Sequence, residues 1–241
     1  MHRFFACRAD IDESDILLSA ETIKHIRAVR LRPLEKFIVC DGQKTDYICV
    51  LGDSSEATAK IIEKKATSGE PEIFCEVYIA YAKGERLDFA VQKAVELGVS
   101  EIILFPSERC VAVPADTSKK LARMQRISLE AAKQCGRGII PAVAAVDSFS
   151  AAISRATKTE LPILCYEDEK KLRLKTELES RMSKPKTCSI VTGPEGGFSP
   201  DEAEFARLGG MVSVSLGPRV LRSETAPIAA LGAVLFWFND L

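Results

Sequence analysis

From residue 71 onward the chain alternates two kinds of segment, and that alternation limits the folds open to it more than any other feature. Strand-like apolar runs at 74–80, 102–105, 163–166, 188–191 and 212–216 take turns with helical patterns at 87–97, 118–135, 149–156, 170–182, 200–208 and 224–238. Strands joined through helices are crossover-connected and run parallel. The expected architecture is therefore α/β, a mainly parallel sheet covered by helices on both faces. Thr67-Ser68-Gly69-Glu70-Pro71 has linker composition and marks the start of this part. Residues 1–66 read differently. Short strand-like segments at 37–40, 47–51 and 57–62, broken by turn signals at Asp41-Gly42 and Gly52-Asp53, predict a small β-rich domain. One helix interrupts it, with Ser19 as cap, Thr22, Ile23, Ile26 and Val29 inward, and Lys24, Arg27 and Arg30 outside.

Two glycine-bearing turns fall where strand-like runs end, the place at which open α/β sheets bind ligands. The first is Thr192-Gly193-Pro194-Glu195-Gly196-Gly197-Phe198-Ser199; the second is Leu216-Gly217-Pro218-Arg219-Val220-Leu221-Arg222-Ser223-Glu224-Thr225-Ala226. The first lacks the Lys-Ser/Thr pair of a phosphate loop, and the chain has no G-x-G-x-x-G, which sets aside nucleotide hydrolysis and the common Rossmann mode of cofactor binding. What it offers is backbone free of Cβ atoms, able to approach a flat ligand closely. Alternatively it is a glycine turn that leads into a capped helix, since Ser199-Pro200-Asp201-Glu202 has a cap, proline at the first helical position and glutamate at the third. In the second turn, Arg219 and Arg222 present guanidinium forks suited to phosphate or carboxylate; alternatively Arg222 braces the loops as an ion-pair partner of Glu224 or Glu195.

The 241 residues, 46% apolar and 28% charged, have the composition of an ordinary globular protein. No h-region follows Met1, and the longest apolar run, 226–238, is too short to span a bilayer, so neither a secretory signal nor a membrane segment is expected. Eight scattered cysteines without C-x-x-C and only two histidines, His2 and His25, predict no metal site and reduced thiols in a cytoplasm. The net charge of −1 conceals an uneven distribution. Lys24, Arg27, Arg30, Arg32 and Lys36 face only Glu35 in their window, and Lys119, Lys120, Arg123, Arg126, Lys133 and Arg137 face only Glu130. At helical spacing Lys119, Arg123, Arg126 and Lys133 share a face about 21 Å long, either a solvated face or a track for several phosphates.

The two turns in this order, together with Met1-His2-Arg3-Phe4-Phe5, Gln92-Lys93-Ala94-Val95-Glu96-Leu97-Gly98 and Glu130-Ala131-Ala132-Lys133-Gln134-Cys135-Gly136-Arg137, resemble the family of methyltransferases that modify uridine N3 in small-subunit ribosomal RNA, within the SPOUT superfamily. The resemblance covers nearly the whole chain. It implies a PUA-like RNA-binding barrel over 1–70 and, over 71–241, a SPOUT methyltransferase domain with a C-terminal trefoil knot. S-adenosylmethionine is the implied cofactor. Thr192, Gly193, Pro194, Gly196 and Gly197 of the first turn and Leu216, Gly217, Val220, Leu221, Thr225 and Ala226 of the second would hold it, with Leu164, Tyr166 and Glu167 as a third wall. Ribosomal RNA is the implied partner, met by Arg3, Lys24, Arg27, Arg30, Arg32, Lys93, Arg126, Lys133, Arg137 and Arg219. Where this family has an adjacent histidine pair and, after the basic stretch, a glycine, this chain has Lys24-His25 and Leu34.

Methyl transfer from a sulfonium is an in-line displacement, for which a protein mainly holds donor and acceptor in near-attack geometry. The N3 proton must leave, and Glu195, Glu224 or an arginine could assist. Arginine stays protonated, so Arg222 is given an electrostatic role and the base is left open. The apolar stretch 226–238 is an internal helix or a dimer interface; the resemblance favours a homodimer. Two further readings stay open: a ribosome-assembly RNA-binding protein without turnover, and a SPOUT enzyme acting on another RNA.

Overall fold

The computed structural model describes residues 1–52, 57–114 and 116–241, so the Asp53 half of the expected Gly52-Asp53 turn lies outside the described residues. The chain forms two compact units, Met1–Glu70 with Ala132–Ile140, and Pro71–Ala131 with Pro141–Leu241.

The first unit holds β1 (Arg3–Phe5), β2 (Asp15–Leu17), α1 (Ala20–Ala28), β3 (Phe37–Cys40), β4 (Thr45–Leu51) and β5 (Thr58–Ala66). They build a five-stranded sheet in the order β1-β3-β4-β5-β2, in which β1 and β3 are parallel and the other pairs antiparallel. A register shift between Ile48 and Cys49 bends the sheet around Phe4, Ile16, Ile26, Phe37, Val39 and Tyr47. β1 and β2, three residues each, are too short to carry a period and escape sequence reading. The cap of α1 is where the sequence puts it: Ser19 Oγ accepts the Thr22 N–H at 3.1 Å, Ile26 is buried, and Lys24, Arg27 and Arg30 are exposed.

The second unit alternates β6 (Phe74–Ala80), α2 (Arg86–Leu97), β7 (Glu101–Phe105), α3 (Thr117–Cys135, ending in the first unit), β8 (Ala142–Ala145), α4 (Phe149–Ala156), β9 (Leu161–Cys165), α5 (Leu174–Glu179), β10 (Thr187–Thr192), α6 (Pro200–Leu208), β11 (Val212–Val214) and α7 (Thr225–Trp237). Every strand pair is parallel, in the order β11-β9-β10-β6-β7-β8. β6, β7 and β10 are buried almost throughout, which explains their near-continuous apolar sequences. β8 escapes prediction because Ala142-Val143-Ala144-Ala145 has a single β-branched residue. The helix expected over 170–182 forms only at α5. Residues 172–174 instead bond to Ser215, with Ser215 N–H donating to Leu172 O at 2.8 Å and Leu174 N–H to Ser215 O at 3.0 Å. α7 buries Pro227, Ala230, Leu231, Val234 and Leu235 against α2, β6 and β10, while Phe236 and Trp237 remain 71% and 41% exposed. Among the described residues no helix is long and apolar enough to cross a membrane.

Candidate active site

The loops that follow β9, β10 and β11 leave the same edge of the sheet from three neighbouring parallel strands. They enclose a cavity of about 630 Å³, within the range of roughly 300–1,000 Å³ usual for small-molecule sites. Tyr166 and Glu167 form one wall, Gly193, Pro194, Glu195 and Gly197 a second, and Leu216, Gly217, Val220, Leu221, Arg222, Glu224 and Ala226 a third. Gly217 stands at φ +137° with open space where a Cβ would project. Gly197, at φ +66°, packs so closely that a Cβ would overlap the Glu167 carboxylate.

The first glycine turn is held rigidly. Ser199 Oγ accepts the Glu202 N–H at 3.2 Å while the Glu202 carboxylate accepts the Ser199 N–H at 3.1 Å, closing a capping box. The same carboxylate also accepts from Ser107 Oγ at 3.0 Å and Glu108 N–H at 3.0 Å, which ties the loop after β7 to the turn. Arg109 donates to the carbonyls of Gly196 and Phe198 at 3.2 and 3.4 Å. Phe198 is buried beside Phe105 and Phe149, with ring centroids 6.5 and 5.5 Å away. The glycines let this turn pack closely on Phe198, Arg109 and Glu167, and that packing supplies stiffness.

Glu195 Oε1 accepts the Lys83 N–H at 2.9 Å and Arg86 Nη1 at 2.7 Å. Burial on its own would raise this carboxyl's pKa, yet hydrogen bonds from the Lys83 N–H, from its own backbone N–H and from Arg86 hold it below the usual carboxylate range. Glu224 accepts a hydrogen bond from Ser223 Oγ at 3.2 Å and lies 3.8 Å from Arg86 Nε. The site therefore holds an anchored carboxylate, a second carboxylate, and arginines on the cavity wall, with glycine backbone open to a flat ligand. Such a set can seat a small cationic or amide-bearing molecule and stabilise charge beside it.

Residues 70–235 match the family described as the RNA methyltransferase domain. The chain is 34% identical over 232 residues to the ribosomal RNA small subunit methyltransferase E of Mesomycoplasma hyopneumoniae, covering 96% of this chain and 97% of that protein. The chain belongs to the RNA methyltransferase family. The Bacillus subtilis protein of the same name is 31% identical over 247 residues, covering 98% of this chain and 96% of its own. The crystal structure of the Neisseria gonorrhoeae protein of that name, bound to S-adenosyl methionine, superposes with a TM-score of 0.85 at 30% identity, covering 98% of this chain and 97% of that one.

Within this RNA methyltransferase chain most of the residues expected around a cofactor come together in the cavity. Four do not line it. Leu164 and Thr192 are buried inside strands, Thr192 Oγ1 donating to Tyr78 O at 3.1 Å; Gly196 turns toward Arg109; and Thr225 starts α7 away from the wall. Sequence reasoning missed Arg86, Glu169, Lys170, Arg173 and Ser215, all on the cavity wall. Arg86 lies far from the glycine turns in sequence, and Lys170 and Arg173 were hidden in a helical pattern that the fold breaks. Of the residues expected on RNA, Lys24, Arg27, Arg30, Arg32, Arg126 and Arg219 are exposed and Lys133 is half-buried. Lys93 pairs with Glu96 at 2.7 Å. Arg3 and Arg137 differ from expectation: both guanidiniums are turned inward, Arg3 onto Asp46 at 2.6 and 2.8 Å and Arg137 onto Glu70 at 2.7 Å. A buried arginine held by a carboxylate braces its own unit and presents no free fork to phosphate.

Proposed function

We propose that the chain is an S-adenosylmethionine-dependent methyltransferase acting on N3 of a uridine in small-subunit ribosomal RNA. The observation that carries this reading is the cavity enclosed by three neighbouring strand-end loops, with Gly217 open toward it and the Glu195 and Glu224 side chains on its wall. An open glycine wall beside two carboxylates fits a flat adenosyl group with a cationic tail. Gly193, Pro194, Gly197, Leu216, Gly217, Val220, Leu221 and Ala226 would hold the cofactor, with Tyr166 and Glu167 opposite; Leu164, Thr192 and Gly196 shape the wall from behind, and Thr225 opens α7 outside it. When bound, S-adenosylmethionine supplies an electrophilic methyl group. The chain's own contribution is to orient the uracil ring, to exclude water and to stabilise the charge that forms as N3 loses its proton. Arg222, exposed on the cavity wall, serves that last purpose. Replacing it by alanine is expected to slow single-turnover methylation by roughly 10²-fold at saturating RNA, and an unchanged rate removes Arg222 from this role.

Several finer features belong to the same reading. The five-stranded sheet acts as a PUA-like barrel over 1–70 that grips RNA through Lys24, Arg27, Arg30 and Arg32, joined elsewhere by Arg126, Lys133, Arg219 and Lys93. Residues 71–241 carry a trefoil knot, as the family resemblance implies. The exposed Phe236 and Trp237 favour a homodimer through α7; a monomer in sedimentation at micromolar concentration would argue against it. The substrate is rRNA of the small subunit, in the cytoplasm. Calorimetric binding of S-adenosylmethionine, together with loss of N3-methyluridine from the rRNA of a deletion strain by nucleoside mass spectrometry, tests the whole. Absence of binding, or an unchanged nucleoside profile, overturns it.

A further inference from the structure

Arg86 is the first residue of α2, in a part of the sequence with no evident link to the glycine turns. Its guanidinium stands between two carboxylates from different loops. Nη1 donates to Glu195 Oε1 at 2.7 Å, and Nε lies 3.8 Å from Glu224 Oε2. Three residues earlier the Lys83 N–H donates to the same Glu195 oxygen at 2.9 Å. Both donors from this segment thus converge on Oε1. The other oxygen, Oε2, is buried and receives no hydrogen bond among the described residues. The Glu195 side chain as a whole is 20% exposed and lines the cavity, so a bound molecule meets a carboxylate that Arg86 and the Lys83 N–H already hold in place.

We infer that Arg86 is a positioning residue of the active site, holding the Glu195 carboxylate on the cavity wall where it receives an N–H donor of the bound molecule. The inference rests on the methyltransferase reading above. That reading brings three N–H donor groups to the cavity: the ammonium and the adenine amino group of S-adenosylmethionine, and the imide N3–H of uridine. One positive charge between two carboxylates leaves the group with a net negative charge, which suits each of them. The titratable and charged groups around Glu195 are Arg86 at the head of α2, Glu224 before α7 and Cys110 in the loop after β7, with Arg222 on the same cavity wall.

Arg86 is among the groups that hold the Glu195 pKa low, so its removal raises that pKa. If ionised Glu195 is required, the acid limb of the rate profile then moves to higher pH. An arginine that merely braced the fold would lower the rate without moving the limb.

The test uses the full chain as R86A, R86K and E195Q. S-adenosylmethionine binding is measured by calorimetry and single-turnover methylation of RNA across pH. R86A is expected to lose on the order of 10²-fold in rate with its acid limb displaced upward, and R86K to recover part of the rate. In E195Q, at least a tenfold weaker affinity for S-adenosylmethionine identifies the cofactor as the donor. Unchanged affinity with a slower methyl transfer identifies the imide. Either result supports the inference, and E195Q carries the test should R86A fail to fold. An R86A enzyme with wild-type rate and an unmoved limb, or an E195Q enzyme equal to wild type in both measurements, overturns it while leaving the methyltransferase reading intact. A wild-type protein that binds no S-adenosylmethionine overturns both.

Discussion

Leu34 carries a full side chain where the backbone turns left-handed, at φ +65°, and that side chain is 78% exposed. An L-residue in this region pays about 1–2 kcal/mol, and the exposed leucine recovers little of that by burial. Leu34→Gly is expected to stabilise the first unit by about 0.5–1 kcal/mol after the entropy of glycine in the unfolded chain is counted, as read from urea denaturation. Asp46 poses the opposite case. Its side chain is buried and accepts two hydrogen bonds from Arg3 and one from Thr67 Oγ1 at 2.9 Å. Burial alone would raise its pKa, but Arg3 and Thr67 hold it below the ordinary value. Stability from this group is therefore present above the unfolded Asp pKa of about 4 and lost as pH falls through the lower folded value. Asp46→Asn is expected to cost about 3 kcal/mol at neutral pH, with the gap to wild type closing in strong acid. An equal gap at pH 7 and pH 2 would show that the carboxylate's charge is not what matters. Nothing local in the sequence pairs Arg3 with Asp46, because the two meet only through the sheet.

Among the elements, α6 does more than follow a glycine turn. Its capping box was legible, since Ser199, Pro200 and Glu202 occupy the positions that helix starts favour. What was not legible is that Glu202 has a second task, accepting from Ser107 and Glu108 in the loop after β7. Glu202→Ala leaves these donors and the Ser199 N–H unmet in a largely buried place, at an expected cost of about 2–4 kcal/mol. Ser199→Ala removes only the cap and should cost about 1 kcal/mol. Thermal melts of the two variants separate the tasks, and equal losses would reduce Glu202 to a capping residue. The same limit on sequence reading explains the shortened α5. Its helical pattern extends back to residue 170, but pairing of residues 172–174 with Ser215 takes the backbone groups that a longer helix would need.

For the whole molecule the formal charge of −1 argues against nucleic acid only as long as charges are summed. Lys24, Arg27, Arg30 and Arg32 of the first unit are exposed, as are Lys119, Arg123 and Arg126 of the second, although Arg123 is partly engaged by Asp88. Binding through about six phosphates is expected to weaken roughly 10³-fold between 50 and 200 mM salt. Fluorescence anisotropy with a labelled rRNA fragment measures this slope, and a flat response would exclude these residues as phosphate contacts. α7 shows how far composition reaches. Its all-round apolar sequence requires cover, and α2, β6 and β10 provide it for one side.

Legible along the chain were the alternation of strand and helix, the mainly parallel character of the larger sheet, both caps, and the two glycine turns that wall the cavity. These follow from period, capping chemistry and β-branched composition, which are local and survive without knowledge of neighbours. The tertiary structure alone decided that Arg86 stands between Glu195 and Glu224, that Lys170 and Arg173 reach the cavity, and that Arg3 and Arg137 turn inward. Each of those depends on which distant residue a side chain meets, and such partners are set by strand order and packing rather than by spacing along the chain.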